Sequence, residues 1–366
     1  MSEDPAARRY HRLQLALGAA DLALTTALLL VVLLSGAGHA LARAAAERSD
    51  AWPLQVALVA VVLGAARAVL GFPLAWLRGY WLPQRYGLLH QPLGAWLVDR
   101  AKAAAIGGGL GLAAVVIIYG LIRTTALWWL VGAGVFFVLY VALAAVMPVW
   151  IMPLFYRLTP LADETLRERL LRLARRAGVE AVGVWVADQS RKSRTANAAV
   201  VGLGRTRRIV LYDTLAQRFR PEEIEAVLAH ELGHHVHGDM RRGLIAQGVV
   251  TLVTFWLADV LLRAGVGWFG FARPADPAGL PWLALVLLGL GLVAAPIANT
   301  FSRFVERQAD EFGLALTGDP DAFVGAMERL AELNLAERRP HRLKEIVLYS
   351  HPALDRRIAR ARGEAA

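Results

Sequence analysis

Long apolar stretches alternate with short polar ones along most of this chain. Six of them approach the ~20 residues that a helix needs to cross a ~30 Å hydrocarbon core. They cover residues 13–34, 54–77, 103–122, 126–152, 244–262 and 281–300. Between the fourth and fifth lies an amphipathic, charged region, 153–242, with a different grammar. Leu166, Leu170, Leu173 and Ala177 recur at helical spacing, and Gly178 follows as a stop. Residues 182–186, 196–201 and 208–212 read as short strands, with Gly202 and Gly204 turning between the last two. A second helix opens at Pro221, a preferred first position, with Glu222 and Glu223 favourable to the helix dipole, and runs to about His237. The expected division is 1–152, four membrane helices; 153–242, a catalytic region with a small sheet; 243–301, further membrane helices; and 302–366, a charged helical tail.

Composition supports a membrane protein. The chain has 366 residues, 57% of them hydrophobic, where soluble domains stay nearer 45–50%. The formal net charge is +10, but the basic residues follow loop topology and form no groove-sized face, which argues against nucleic acid. Arg8, Arg9 and Arg12 precede the first span, and Arg78, Arg85, Arg100 and Lys102 fill the second loop, whereas the alternate loops are poorer. That bias places both termini and the 153–242 region on the cytoplasmic side. Trp128, Trp129 and Trp150 suit aromatic belts at the two ends of the fourth span. The first apolar run is too long for a signal peptide and reads as a retained helix. Asp21 and Arg67 lie inside the first two spans and are expected to pair or to line a polar chamber. Without any cysteine, a metal would have to be held by histidine and carboxylate.

Such a site is written in the second polar helix. His230-Glu231-Leu232-Gly233-His234 puts two imidazoles four apart on one face, with Glu231 offset by about 100°. The pattern suits Zn2+, which takes three protein ligands at catalytic sites and keeps one position open. A third ligand from the same helix is excluded, because His237 and Met240 stand where the metzincin glycine and histidine would be. The better source follows the sixth span, where Glu306 and Asp310 share a helix face. One of these carboxylates can bind metal while the other receives an N–H from a ligand histidine.

HELGHH, NTFSRFVERQADEFG after a hydrophobic span, YSHPALDRR near the end and RTANAAVVGLGRTRRIVLYDTL between them together resemble the type-I CAAX prenyl endopeptidases. The resemblance implies a polytopic, mainly α membrane bundle enclosing a chamber, with a small zincin-like α/β part on the cytoplasmic side. It also implies one zinc held by His230, His234 and Glu306, with Asp310 behind a ligand and Glu231 as the base. His351 would bond the developing oxyanion, Arg357 a substrate carbonyl or carboxylate, and Asn197-Ala198 would border the cleft on a strand that pairs with extended substrate. The family is described with seven membrane helices; six are counted here, and the seventh is either the helix bearing His230 or a span outside this count. The expected partners are a peptide or protein substrate, isoprenylated ones included, and membrane lipid. The alternatives are a bacterial quality-control peptidase without a prenyl requirement and a transporter with a structural metal site. The transporter predicts paired broken helices with midplane charges, which are not seen.

Overall fold

The computed structural model describes residues 5–202 and 207–364; Gly204 of the expected turn lies outside them. The chain order is α1 (Pro5–Leu34), α2 (Ala37–Ala46), α3 (Trp52–Trp76), α4 (Leu82–Arg85), α5 (Leu93–Thr124), α6 (Trp128–Val146), β1 (Leu158–Pro160), α7 (Glu164–Arg176), β2 (Val184–Ala187), β3 (Ala198–Val201), β4 (Arg208–Tyr212), α8 (Asp213–Arg218), α9 (Pro221–Val236), α10 (Asp239–Phe269), α11 (Leu280–Thr317), α12 (Pro320–Leu333), α13 (Arg342–Leu348) and α14 (Leu354–Ala361).

Among the described residues six helices are long and apolar enough to span a membrane, built on α1, α3, α5, α6, α10 and α11. They coincide with the six stretches read from the sequence. The helix α9 is not among them: its sixteen residues include Glu222, Glu223, Glu225 and Glu231. The spans expose apolar side chains such as Val31, Val69 and Val138 outward, as lipid allows. Their interior packs around Val56, Val59, Tyr119, Trp128, Phe255 and Leu262. Polar contacts cross it as well. Arg67 donates to Asp21 at 2.5 Å and to the Thr25 hydroxyl at 2.7 Å, which settles the expected pairing. Trp128 Nε1 donates to buried Asp259 at 2.6 Å, and Arg263 donates to the same carboxylate.

The polar part is a four-stranded sheet, ordered β1-β2-β4-β3, against α7 and α9. The parallel pair is β2 with β4; β1 and β3 join antiparallel at the two edges. The edge strand β1 was not expected from the sequence, since three residues ending in Pro160 carry no alternation. Asp163 caps α7 by accepting from the Leu166 amide, and Leu166, Leu170 and Leu173 enter a core with Leu211, Leu215, Leu228 and Leu232.

The membrane and polar parts meet through α11. At 1.5 Å per residue, its apolar half ends near Thr300, and the remaining turns project roughly 25 Å further. They lie along α9 almost backbone to backbone. A Cβ at Gly233 would sit 3.0 Å from Ala309 Cα, and one at Gly313 would sit 3.0 Å from the His230 amide nitrogen. Two glycines therefore let a membrane-anchored helix reach the HExxH helix.

Candidate metal centre

His230 and His234 project from adjacent turns of α9 with ring centroids 4.9 Å apart and planes at 86°. Glu306 enters from α11. Its Oε2 lies 3.3 Å from His230 Nε2, and its Oε1 lies 3.5 Å from His234 Nε2. One ligand atom from each of the three lies within 4.8 Å of the others, so the two histidines and the glutamate could hold a single divalent ion. Three features of the donors fit that role. Both Nδ1 atoms are taken up by aspartates: His230 by Asp310 at 2.8 Å and His234 by Asp239 at 3.0 Å. An ionised carboxylate only accepts, so each Nδ1 carries a hydrogen and each Nε2 is left facing the centre. Finally, Glu306 Oε2 is buried without a hydrogen bond; its close approaches to His230 and to His351 Nδ1, the latter at 2.7 Å, lack hydrogen-bond geometry.

Glu231, half-buried and one residue on from His230, faces a cavity of about 1060 Å³ with His234 and His235. Apolar side chains dominate its wall, among them Tyr140 and Val141 of α6, Tyr156, Tyr212 and Leu244. The edge strand β3 supplies Val200 and Val201. His235 Nε2 donates to the Val200 carbonyl at 3.2 Å, fastening that strand to α9.

The chain matches two family descriptions in succession: the CAAX prenyl protease N-terminal region, with five membrane helices, over residues 5–157, and Peptidase family M48 over residues 160–365. It is 30% identical over 320 residues to the CAAX prenyl protease 1 of Saccharomyces cerevisiae, covering 81% of this chain and 70% of that one. It is 31% identical over 316 residues to the metalloprotease YhfN of Bacillus subtilis, covering 85% of this chain and 74% of that one. The solved structure of S. mikatae Ste24p superposes with a TM-score of 0.83 at 26% identity, over 97% of this chain and 88% of the other.

The chain belongs to peptidase family M48.

As an M48 member it is a membrane metallopeptidase acting on peptide or protein, and its fold corresponds to that of Ste24p. The other expected site residues can now be located. Asp310 joins His230 to Arg357, which donates to it twice, from Nε at 2.8 Å and from Nη2 at 2.6 Å. Of the neighbouring arginines, Arg357 points inward, while Arg356 pairs with buried Glu345. His351 lies beside Glu306 with its side chain 58% exposed. Asn197 is exposed just ahead of β3, its Oδ1 accepting from the Ala198 amide at 2.9 Å, and Ala198 is buried in the core behind the sheet. The sequence reading missed Asp239. It follows the helix-stopping Gly238, and its only sequence signal is an acidic side chain five residues after His234.

Electrostatics prepare the site. Burial pushes the Glu231 carboxyl above its ordinary value, joined by Glu306, while the two histidines pull the other way. Burial disfavours charge on His230, but Asp310 and Glu306 outweigh it and hold the ring up at about 9.

Proposed function

We propose that this protein is a zinc-dependent endopeptidase that cleaves membrane-associated proteins near their C-termini, prenylated ones among them. The observation that carries the reading is the convergence of two imidazole Nε2 atoms and one carboxylate beside an uncoordinated glutamate at the mouth of an apolar cavity. Zinc held by His230, His234 and Glu306 would supply Lewis acidity at the scissile carbonyl and acidify nearby water.

The chain's own residues supply the rest. Glu231 takes a proton from the attacking water and delivers it to the leaving amine; burial keeps its basicity nearer neutrality, where a general base works best. Among the described residues β3 has β4 on one side and no strand on the other. Extended substrate adds there through backbone hydrogen bonds, with Asn197 at the head of the strand. His351 donates to the carbonyl oxygen as charge develops, a contribution of about 3 kcal/mol to the barrier. Arg357 holds Asp310, and through it His230, and offers its remaining N–H groups to a substrate carbonyl or carboxylate. The loop charge bias supports a cytoplasmic catalytic side. The Ala-, Arg- and Leu-rich composition and the Bacillus subtilis relative support a bacterial plasma membrane.

The test is Glu231→Gln. Zinc should remain bound while peptide cleavage falls by orders of magnitude, and a fully active variant would refute the mechanism. Digestion of a farnesylated CAAX peptide and its unmodified twin, mapped by mass spectrometry, then decides the substrate. Equal cleavage of both, together with cleavage of misfolded membrane proteins, would favour quality control.

A further inference from the structure

Behind His234 the contacts continue past its aspartate to a second helix. Asp239 stands at the first position of α10, where an acidic side chain is ordinarily explained by the helix dipole. Its surroundings ask for more. Its side chain is only 8% exposed, although the Arg242 beside it is 42% exposed. One oxygen accepts from His234 Nδ1 at 3.0 Å, and the other accepts from Arg242 Nη1 at 3.3 Å. Arg242 Nη1 also donates to Gln308 Oε1 at 2.9 Å, and Gln308 lies two residues beyond Glu306 on α11.

We propose that Asp239 is a positioning residue for His234, and that Arg242 and Gln308 brace it, tying the start of α10 to the ligand-bearing segment of α11. His234 needs such support more than His230 does. It sits in the last turn of α9 with its side chain 25% exposed, where water can compete for Nδ1 and the ring can turn. Gly238, at φ +67, reverses the chain so that the fifth residue after His234 returns beneath its ring. The carboxylate then fixes the tautomer and the ring plane, and partners of this kind typically alter metal affinity by about 10- to 100-fold. Because the brace crosses from α10 to α11, metal retention follows the packing of these two helices against each other.

The inference rests on His234 being a metal ligand. The experiment is zinc affinity by chelator competition on the full chain in detergent, with the Co2+-loaded absorption spectrum as a second readout. Failure of the parent protein to bind one zinc would sink the ligand assignment itself, separately from this inference. Asp239→Ala should weaken zinc binding by about 10- to 100-fold and shift the cobalt spectrum. Asp239→Asn, whose amide oxygen still accepts from Nδ1, should recover most of the loss although it lacks the helix-dipole charge. Parent-like affinity in folded Asp239→Ala, within twofold, overturns the proposal, as does an Asn variant no better than Ala. Should Asp239→Ala fail to fold, Arg242→Ala combined with Gln308→Ala decides: a severalfold loss of affinity supports the brace, and unchanged affinity overturns it.

Discussion

His230 and His234 are built alike and placed differently. Each imidazole gives its Nδ1 hydrogen to an aspartate, and each aspartate is held by an arginine. Behind His230 the chain of contacts is tertiary: Asp310 comes from α11 and Arg357 from α14, with side chains only 8% and 11% exposed. Behind His234 it is local: Asp239 and Arg242 follow within eight residues, and the arginine faces water at the edge of the bundle. The same three residue types therefore make a desolvated, all-or-none support on one side and a graded, solvent-tuned one on the other. In the interior, removing one member leaves its partner charged and without water. At the edge, water takes the vacated place.

The largest expected effect tests that asymmetry directly. Asp310→Ala leaves the Arg357 guanidinium unpaired in the interior and His230 unsupported, at a cost of about 3–5 kcal/mol and with loss of stoichiometric zinc. Thermal unfolding and metal analysis of the purified protein measure both; a cost no larger than that of Asp239→Ala would erase the distinction.

A pH series comes next. His230 holds its proton up to about 9, and zinc must displace that proton on binding. Below that pH the apparent zinc affinity should fall about tenfold per unit from this proton alone, rising again as pH approaches 9. Competition titrations from pH 6 to 9 would show it, and a flat profile would contradict the buried support.

Two glycine substitutions sharpen the contrast further. Gly313→Ala forces a methyl group 3.0 Å from the His230 amide nitrogen and should cost about 1–3 kcal/mol by overpacking, loosening zinc as α9 and α11 part. Gly238→Ala meets no atom within 4 Å but sits at φ +67, so only backbone strain opposes it, at about 1–2 kcal/mol. Unfolding midpoints that reverse this order would show that the interior contact yields more readily than the turn.

Much of the centre is legible in the sequence, because its determinants are periodic. Two histidines four apart on a helix share a face wherever that helix sits, and so do Glu306 and Asp310. The six spans followed from apolar length alone. Asp239 escaped because five is not a helical spacing: a left-handed glycine restores the contact, and a lone acidic residue after glycine gives no sign of it. The strand β1 escaped because its place in the sheet comes from pairing with β2, and three residues show no alternation of their own.

Residue order by itself determined the membrane spans, the HExxH helix, the candidate third ligand and the absence of thiolate ligation. Only the tertiary structure decided which oxygens and nitrogens converge. It brought α11 against α9 across two glycines, turned Arg357 instead of Arg356 inward onto Asp310, and set β3 beside the cavity that Glu231 faces. The reason is one of range. Periodicity and composition are properties of neighbouring residues, whereas a metal centre needs ångström-scale agreement between segments some eighty residues apart, and that agreement exists only once the helices have packed.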